Sequence, residues 1–487
     1  MSENFKLLLI LSSIAILIFL LETFAKRKIL SFEIARKTLH ISAGVLISLS
    51  PIIFSNFYYP FIAALAASIF SIAAIAFNFL PRIDPRSRGT LGTFYFSFSF
   101  ALLVIFYWDN YRILISISYF LFVIGDVLTS IAGNNSKKKI LLAINSEPKT
   151  LQGALAIFVS TFILFIIIWF FLKDQFDSLN LSFEKFIIVN IIVSTVAMII
   201  EILSRKGSDN LFLPLVVSFI LFVLLSQPQH IDSFSIGFLF SSIIVFISVR
   251  FKLLNTEGGL ATFVLALFIF GLGEWKWTIP ILVFFVFSSL LSKVSEKSKQ
   301  YPQKRKRTKG NVRDMSQVFA NGGLALGTII LNFIFPSEIW YLVYLVSLSV
   351  STADTWSTEI GTWLGKKTCL ITTFKQIEKG ESGGVSFAGT IGGVIGSIVV
   401  ISVFFVNLQV SMLILLIVFG TVGSLIDSLM GAAIQAKYYC RGCHATVEIK
   451  AHCNAAAKLT SGSSLINNDA VNFVSALIVS IIFYAVI

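Results

Sequence analysis

The sequence predicts an all-α polytopic membrane protein of about sixteen transmembrane helices, arranged as two related eight-helix halves. Three observations predict it. Of 487 residues, 56% are hydrophobic and 13% charged, and the mean hydropathy is +0.88, a balance that excludes an ordinary soluble globular domain. Apolar runs of about twenty residues, the length that crosses a bilayer as a helix, recur along the whole chain. They lie near 5–24, 38–55, 59–80, 90–108, 112–132, 150–172, 185–203, 211–227, 234–250, 258–273, 277–292, 317–335, 338–353, 385–406, 411–436 and 466–486. All but five of the 38 Lys and Arg residues fall in alternate loops, the exceptions being Lys6, Arg112, Lys173, Lys185 and Lys276. That asymmetry makes the basic loops cytoplasmic and puts both termini on the far side.

The formal charge of +13 therefore calls for no nucleic-acid partner; it follows from loop orientation, with some attraction to anionic headgroups. The first run has only Lys6 ahead of it and no small-residue cleavage site before Glu22, so it reads as a retained span and not a signal peptide. Four cysteines, three of them in one basic loop, argue against a disulfide framework.

The first half covers 1–229. Arg36 and His40 stand four residues apart at the entry of the second span and share a helix face. Arg36 and Lys37 alone read equally as a basic cap snorkelling to the interface, whereas His40 lies inside the span. Pro81 to Thr90 is a basic, proline-bounded turn of structural character. Asp126 follows Gly125 near the end of the fifth span, and Lys149-Thr150-Leu151-Gln152-Gly153 opens the sixth. Free amides at a helix start, a lysine and a hydroxyl suit phosphate, and Asp126 beside them suits Mg²⁺. Glu201 and Asp209-Asn210 bracket the next cytoplasmic turn, where Asp209 reads either as a functional acid or as a plain N-cap.

The second half covers 230–487. After a basic linker that includes Lys304 to Arg307, the residues Arg313, Gln317 and Asn321 recur every four positions, a polar stripe that must face protein or a cavity. Ser351 to Gly361 closes the thirteenth span with Asp354 and Glu359, and acids at a membrane boundary mark function. Gly361 to Thr368 has the outline of a Walker A loop but is one residue short and follows a membrane helix, so it is rejected. Gly383, Gly384 and Ser386 run into a helix start and are the better phosphate loop, while Gly389, Gly392, Gly393 and Gly396 read as close helix packing. Asp427 is a lone acid deep in the fifteenth span, about 15 Å from the helix end expected near Lys437. Cys440-x-x-Cys443 with His452-Cys453 resembles a zinc set, although its second pair is adjacent instead of spaced. Asn468 and Asp469 open the last span.

These features echo between halves. In each, the fifth span ends with an acid (Asp126, Asp354) and the sixth opens with a small polar cap. The seventh buries an acid (Glu201, Asp427), and the eighth opens with Asp and Asn. An even-span repeat keeps all of them on the cytoplasmic side, where nucleotide and Mg²⁺ are.

At Arg36-Lys37-x-x-His40, Arg88-Gly89-Thr90, Gly125-Asp126, Lys149-Thr150-x-Gln152-Gly153 and Glu201 to Asn210, the first half resembles the phytol kinase and dolichol kinase family. That family commonly carries Glu where Gln152 stands. The second half resembles the phytyl-phosphate kinase family, also known as transmembrane protein 19. Its matches run through Gln317 to Gly323, Asp354 to Gly361, Gly383 to Ser386, Gly423 to Gln435, His452-Cys453 and Asn468-Asp469-x-x-Asn472. The resemblances imply a fusion that phosphorylates phytol or a similar prenol, then its monophosphate, with CTP or another nucleoside triphosphate, in tocopherol or quinone side-chain salvage. The site would lie at the cytoplasmic face of the cell (inner) membrane.

On this reading Asp126 and Asp209 hold Mg²⁺ and nucleotide in the first site, with Glu201 beside them and Lys149 neutralising the transferring phosphate. Arg36, Lys37, His40, Thr150, Gly153 and Asn210 contact nucleotide or phosphate. Asp354, Glu359 and Asp427 do the acidic work of the second site, Asp354 and Asp427 with Mg²⁺. Arg313, Gln317, Asn321, Gly383, Gly384, Ser386, Asn468 and Asp469 surround its phosphates, and Cys440, Cys443, His452 and Cys453 are candidates for structural Zn²⁺. Two rivals use the same residues: a lipid cytidylyltransferase, which releases pyrophosphate, and a transporter built on a parallel repeat.

Overall fold

Short polar side chains set where the helices begin. In the computed structural model, Ser31, Thr150, Ser182, Asp314, Ser337, Ser386 and Asn467 each accept a backbone N–H from the first turn that follows, a cap worth about 1 kcal/mol. The structure describes residues 2–77, 90–135, 140–142, 149–174, 181–298, 312–404, 409–453 and 455–487. The basic turn 81–89, the lysines 137–139 and the linker lysines and arginines 304–307 lie outside them.

The chain divides into two compact units, Met1–Ser235 and Ile236–Ile487. The first contains α1 (Glu3–Lys26), α2 (Phe32–Ile53), α3 (Tyr58–Phe77), α4 (Gly92–Asn135), α5 (Leu151–Phe171), α6 (Phe183–Leu203) and α7 (Asp209–Ser226). α4 is 44 residues long and breaks at Tyr111. Tyr119 donates to the Phe96 carbonyl at 2.5 Å, so the two arms run back along one another. This hairpin is the centre of the unit, with Leu103, Ile115, Tyr119 and Phe122 fully buried.

The second unit begins within α8 (His230–Arg250) and continues through α9 (Thr256–Ser298), α10 (Met315–Ile334) and α11 (Glu338–Leu364). After α11 come α12 (Phe387–Ile401), α13 (Val410–Ala433) and α14 (Asn468–Val486). α9 reverses at Glu274, whose φ is 51°, and Lys293 Nζ reaches the Phe251 carbonyl at 2.8 Å. Tyr344, Leu345, Val346, Leu416 and Phe483 form its core, and the Tyr344 hydroxyl donates to the Trp277 carbonyl.

The protein is an all-α polytopic membrane protein. Eleven described helices are long and apolar enough to cross a bilayer; α2 and α11, which carry many of the polar site residues, and the 15-residue α12 fall outside that set. The sequence reading missed the short strands between helices, eight among the described residues. β1 (Thr368–Leu370), β2 (Gln376–Ile377) and β3 (Gly384–Val385) pair in the order β2-β1-β3. β4 (Lys437–Cys440), β5 (Ala445–Val447) and β8 (Lys458–Ser461) pair as β5-β4-β8, and β6 (Ala451–His452) pairs with β7 (Ala455–Ala456).

Two boundaries differ from expectation, both at site residues. α11 runs eleven residues past the expected end at 353, so Asp354 and Glu359 lie inside a helix and not in a loop. Its hydroxyls make this tolerable: Thr352, Thr355 and Ser357 donate to the Leu348, Ser351 and Asp354 carbonyls. α13 ends at Ala433, which leaves Asp427 about 9 Å from the helix end at 1.5 Å per residue.

Candidate functional site

In the first unit five elements converge. α2 supplies His40, α4 Asp126, the start of α5 Lys149, the end of α6 Glu201 and the start of α7 Asp209. One carboxylate oxygen from each of Asp126, Glu201 and Asp209 lies within 4.8 Å of the others. Lys149 Nζ sits 2.7 Å from Glu201 Oε1, and His40 Nε2 sits 3.4 Å from Asp126 Oδ2. Glu201 Oε2 is buried with no hydrogen-bond partner. Burial alone would lower the Lys149 pKa, but Glu201, Asp209 and Asp126 outweigh it and hold the ammonium above its ordinary value. Three carboxyl groups this close together beside a single ammonium disfavour one another's ionisation, and a divalent cation among them would relieve that.

Other expected contacts are used differently. Asp209 is the first residue of α7 and not its N-cap, which is Ser208. The Gly153 amide donates to Thr150 Oγ1 at 3.2 Å, and the Leu151 amide donates to the Ile140 carbonyl at 2.9 Å. Those two amides of the expected phosphate cradle are therefore taken within the fold. Asn210 donates to the Gly92 carbonyl at 2.9 Å, holding the start of α7 to the start of α4. Lys37 pairs with Glu33 at 2.8 Å, while Arg36 Nε is buried with no hydrogen-bond partner.

In the second unit a cavity of about 640 Å³ is lined by Arg313, Gln317, Asn321, Asp354, Glu359, Asp427, Asn468 and Asp469, and by the loop residues Gly383, Gly384 and Ser386. The Asp354 and Asp427 side chains meet, so Asp427 is not the lone acid that the sequence suggested. Ser475 donates to Asp427 Oδ2 at 3.0 Å, and the Asn472 amide, in the orientation that satisfies its neighbours, donates to the same oxygen at 3.2 Å. Ser357 and Ser424 meet at 3.0 Å beneath. Ser295 donates to Glu359, and the Arg313 guanidinium lies 5.3 Å from the centre of the Phe284 ring. Burial brings Arg313 down to about 10, with Glu359 holding it up, so it stays a cation at neutral pH.

Asp314 and Gln317 form a reciprocal capping box that starts α10, and Asn321 Nδ2 donates to the Gln317 carbonyl at 2.9 Å. Ser386 caps α12 through Gly389. Gly383 has a φ of +83°, and a Cβ there would stand 2.5 Å from Ala432 Cβ; this is close approach as well as cavity wall. Sequence reasoning missed Ser475, although it completes the 468, 472, 475 spacing of one helix face. It also missed Glu448 and Lys450, which line the cavity from a short loop with no periodic signal. The set Cys440, Cys443, His452 and Cys453 does come together, with its ligand atoms within 4.8 Å.

Residues 239–480 match the family described as integral membrane protein DUF92. Protein PGR of Arabidopsis thaliana is 30% identical over 282 residues, which is 52% of this chain and 96% of that protein. The chain belongs to the DUF92 integral membrane protein family. The DUF92 match includes every second-unit site residue named above. An uncharacterized membrane protein of Methanocaldococcus jannaschii is 30% identical over 38% of this chain and 76% of its own length. Protein VTE6, chloroplastic, of Arabidopsis thaliana is 32% identical over 103 residues, 21% of this chain and 31% of that protein. No solved structure matches.

Proposed function

We propose that the chain makes an isoprenyl diphosphate in two phosphoryl transfers, the first unit acting on a prenol such as phytol and the DUF92 unit on the monophosphate. The observation that carries the reading is the meeting of Asp354 and Asp427 in a polar cavity of about 640 Å³ walled also by Arg313. Phosphoryl transfer needs positioning and charge stabilisation more than covalent chemistry, and carboxylates, a divalent cation and basic donors are its recurring parts. The resemblance of the second half to phytyl-phosphate kinases supports this substrate class, and the basic loops support sites at the cytoplasmic face.

Mg²⁺, when bound, would neutralise and align the nucleotide phosphates. Asp126, Glu201 and Asp209 would hold it in the first unit, and Asp354 with Asp427 in the second. Asn472 and Ser475 orient Asp427, and Arg313 offers the charge that faces phosphate. The two acceptors differ in their need for a base. A phosphate monoester is largely dianionic near neutral pH, its second pKa being about 6, whereas a prenol must lose a proton. In the first unit His40 Nε2 lies 3.4 Å from Asp126 Oδ2 and is buried with no hydrogen-bond partner, which makes it the candidate base for the prenol proton.

The test incubates purified protein with phytol, CTP and Mg²⁺ and resolves the lipid products, alongside Asp126→Asn and Asp354→Asn. Diphosphate from the parent, no product from Asp126→Asn and accumulating monophosphate from Asp354→Asn are the expected results. A CDP-lipid would replace the kinase reading by the cytidylyltransferase, and absence of any lipid product with any nucleotide or prenol would overturn both.

A further inference from the structure

We propose that Cys440, Cys443, His452 and Cys453 bind one structural Zn²⁺, and that this metal holds the β4–β8 segment as a wall of the second-unit cavity. Around a tetrahedral Zn²⁺ with bonds of about 2.0–2.3 Å, ligand atoms stand roughly 3.5–3.8 Å apart. Here His452 Nδ1 lies 3.4 Å from Cys443 Sγ and 3.2 Å from Cys453 Sγ, and all four ligand atoms fall within 4.8 Å. Three thiols and an imidazole form a soft donor set suited to zinc and not to Mg²⁺ or Ca²⁺.

The backbone explains how the set assembles. Cys440 ends β4 opposite Ala445, and Cys443 lies in the turn between them. A Cβ at Gly442 would stand 3.0 Å from Cys453 Cβ, so the turn closes directly over the second pair of ligands. Adjacent residues on a strand point to opposite faces, which would keep His452 and Cys453 from sharing one metal. Cys453 leaves the strand with a φ of 52° and so can join the same side.

The segment also needs such a tie. Its core is four buried residues, Ala436, Tyr438, Cys440 and Val447, far too few to order a strand-rich loop by themselves. The four cysteines of the chain are free thiols, so no disulfide does it. Yet the segment carries Tyr438, Glu448 and Lys450 to the cavity, and Ser382 of the glycine loop donates to Glu448.

Zinc content measured on the reduced, full-length protein tests this independently of any kinase activity. About one zinc per chain is expected in the parent. Cys369→Ser, outside the set, should keep it. Cys443→Ser should lose it, and His452→Cys, which keeps four ligands by exchanging the imidazole for a thiolate, should retain it. Co²⁺ exchanged into the site should give the absorption of tetrahedral thiolate coordination, and chelation should speed proteolysis at Arg441 or Lys450 by about tenfold or more. Zinc-free parent protein that also gives no thiolate–cobalt absorption would overturn the proposal, as would full zinc retention by Cys443→Ser.

Discussion

At the scale of single residues the second site turns on Asp427, which receives Ser475 and Asn472 and faces Asp354. Asp427→Asn keeps the shape and removes the charge, so monophosphate phosphorylation should fall about 10²–10³-fold in kcat. Ser475→Ala leaves the carboxylate in place but frees its orientation, and the expected loss is about tenfold. Steady-state kinetics with isoprenyl monophosphate would check both; equal losses would deny Ser475 a merely positioning role. Glu448 gives a pH-dependent prediction. Burial raises its pKa above the ordinary 4.5, more than the Ser382 hydrogen bond and Lys437 lower it. The folded protein therefore holds this proton more tightly than the unfolded chain. The resulting stability is full below 4.5 and is lost as pH rises through the raised value. Glu448→Gln mimics the protonated form, so its Tm should exceed the parent's at about pH 8 and converge with it near pH 4. A lower Tm for Glu448→Gln at the higher pH would contradict the sign.

At the scale of elements the site depends on how closely α12 approaches α11. Apolar burial drives little association inside a bilayer, and small residues that let backbones touch take its place. A Cβ at Gly392 would lie 2.9 Å from Ile360 Cβ, and one at Gly396 would lie 3.0 Å from the Thr352 carbonyl. Gly392→Leu should therefore cost about 1–3 kcal/mol and displace the helix that carries Asp354. Gly327 has nothing within 4 Å of its would-be Cβ, and Gly327→Ala should stabilise by about 0.5–1 kcal/mol through helix propensity. Thermal unfolding in detergent reads both. This packing was legible in the sequence, because a Gly389, Gly392, Gly393, Gly396 run has few other uses in a membrane helix. The acids were legible as well, since charge inside an apolar run stands out against its surroundings. What the sequence concealed was a local structural role: Thr150 caps a helix and Asn210 ties two helices together, alongside the ligand contacts expected of them. Nor could hydropathy show that α11 continues past Asp354, because hydroxyls bonded to their own helix backbone count as polar in the sequence and as satisfied in the fold.

At the scale of the whole molecule, the two-step reading proposed above has a purpose only if the intermediate passes from one unit's site to the other's. The monophosphate of a long prenol stays dissolved in the membrane where it is made, since each buried CH₂ contributes about 0.8 kcal/mol to its retention. Asp126→Asn and Asp354→Asn should then complement one another when reconstituted into the same vesicles. One protein supplies monophosphate and the other consumes it in the same bilayer. Mixed as separate vesicle populations, they should yield monophosphate and little diphosphate, because the intermediate would have to cross water. Product analysis over time distinguishes these cases from handover confined to a single chain, which would leave even the shared vesicles unable to complete the second step.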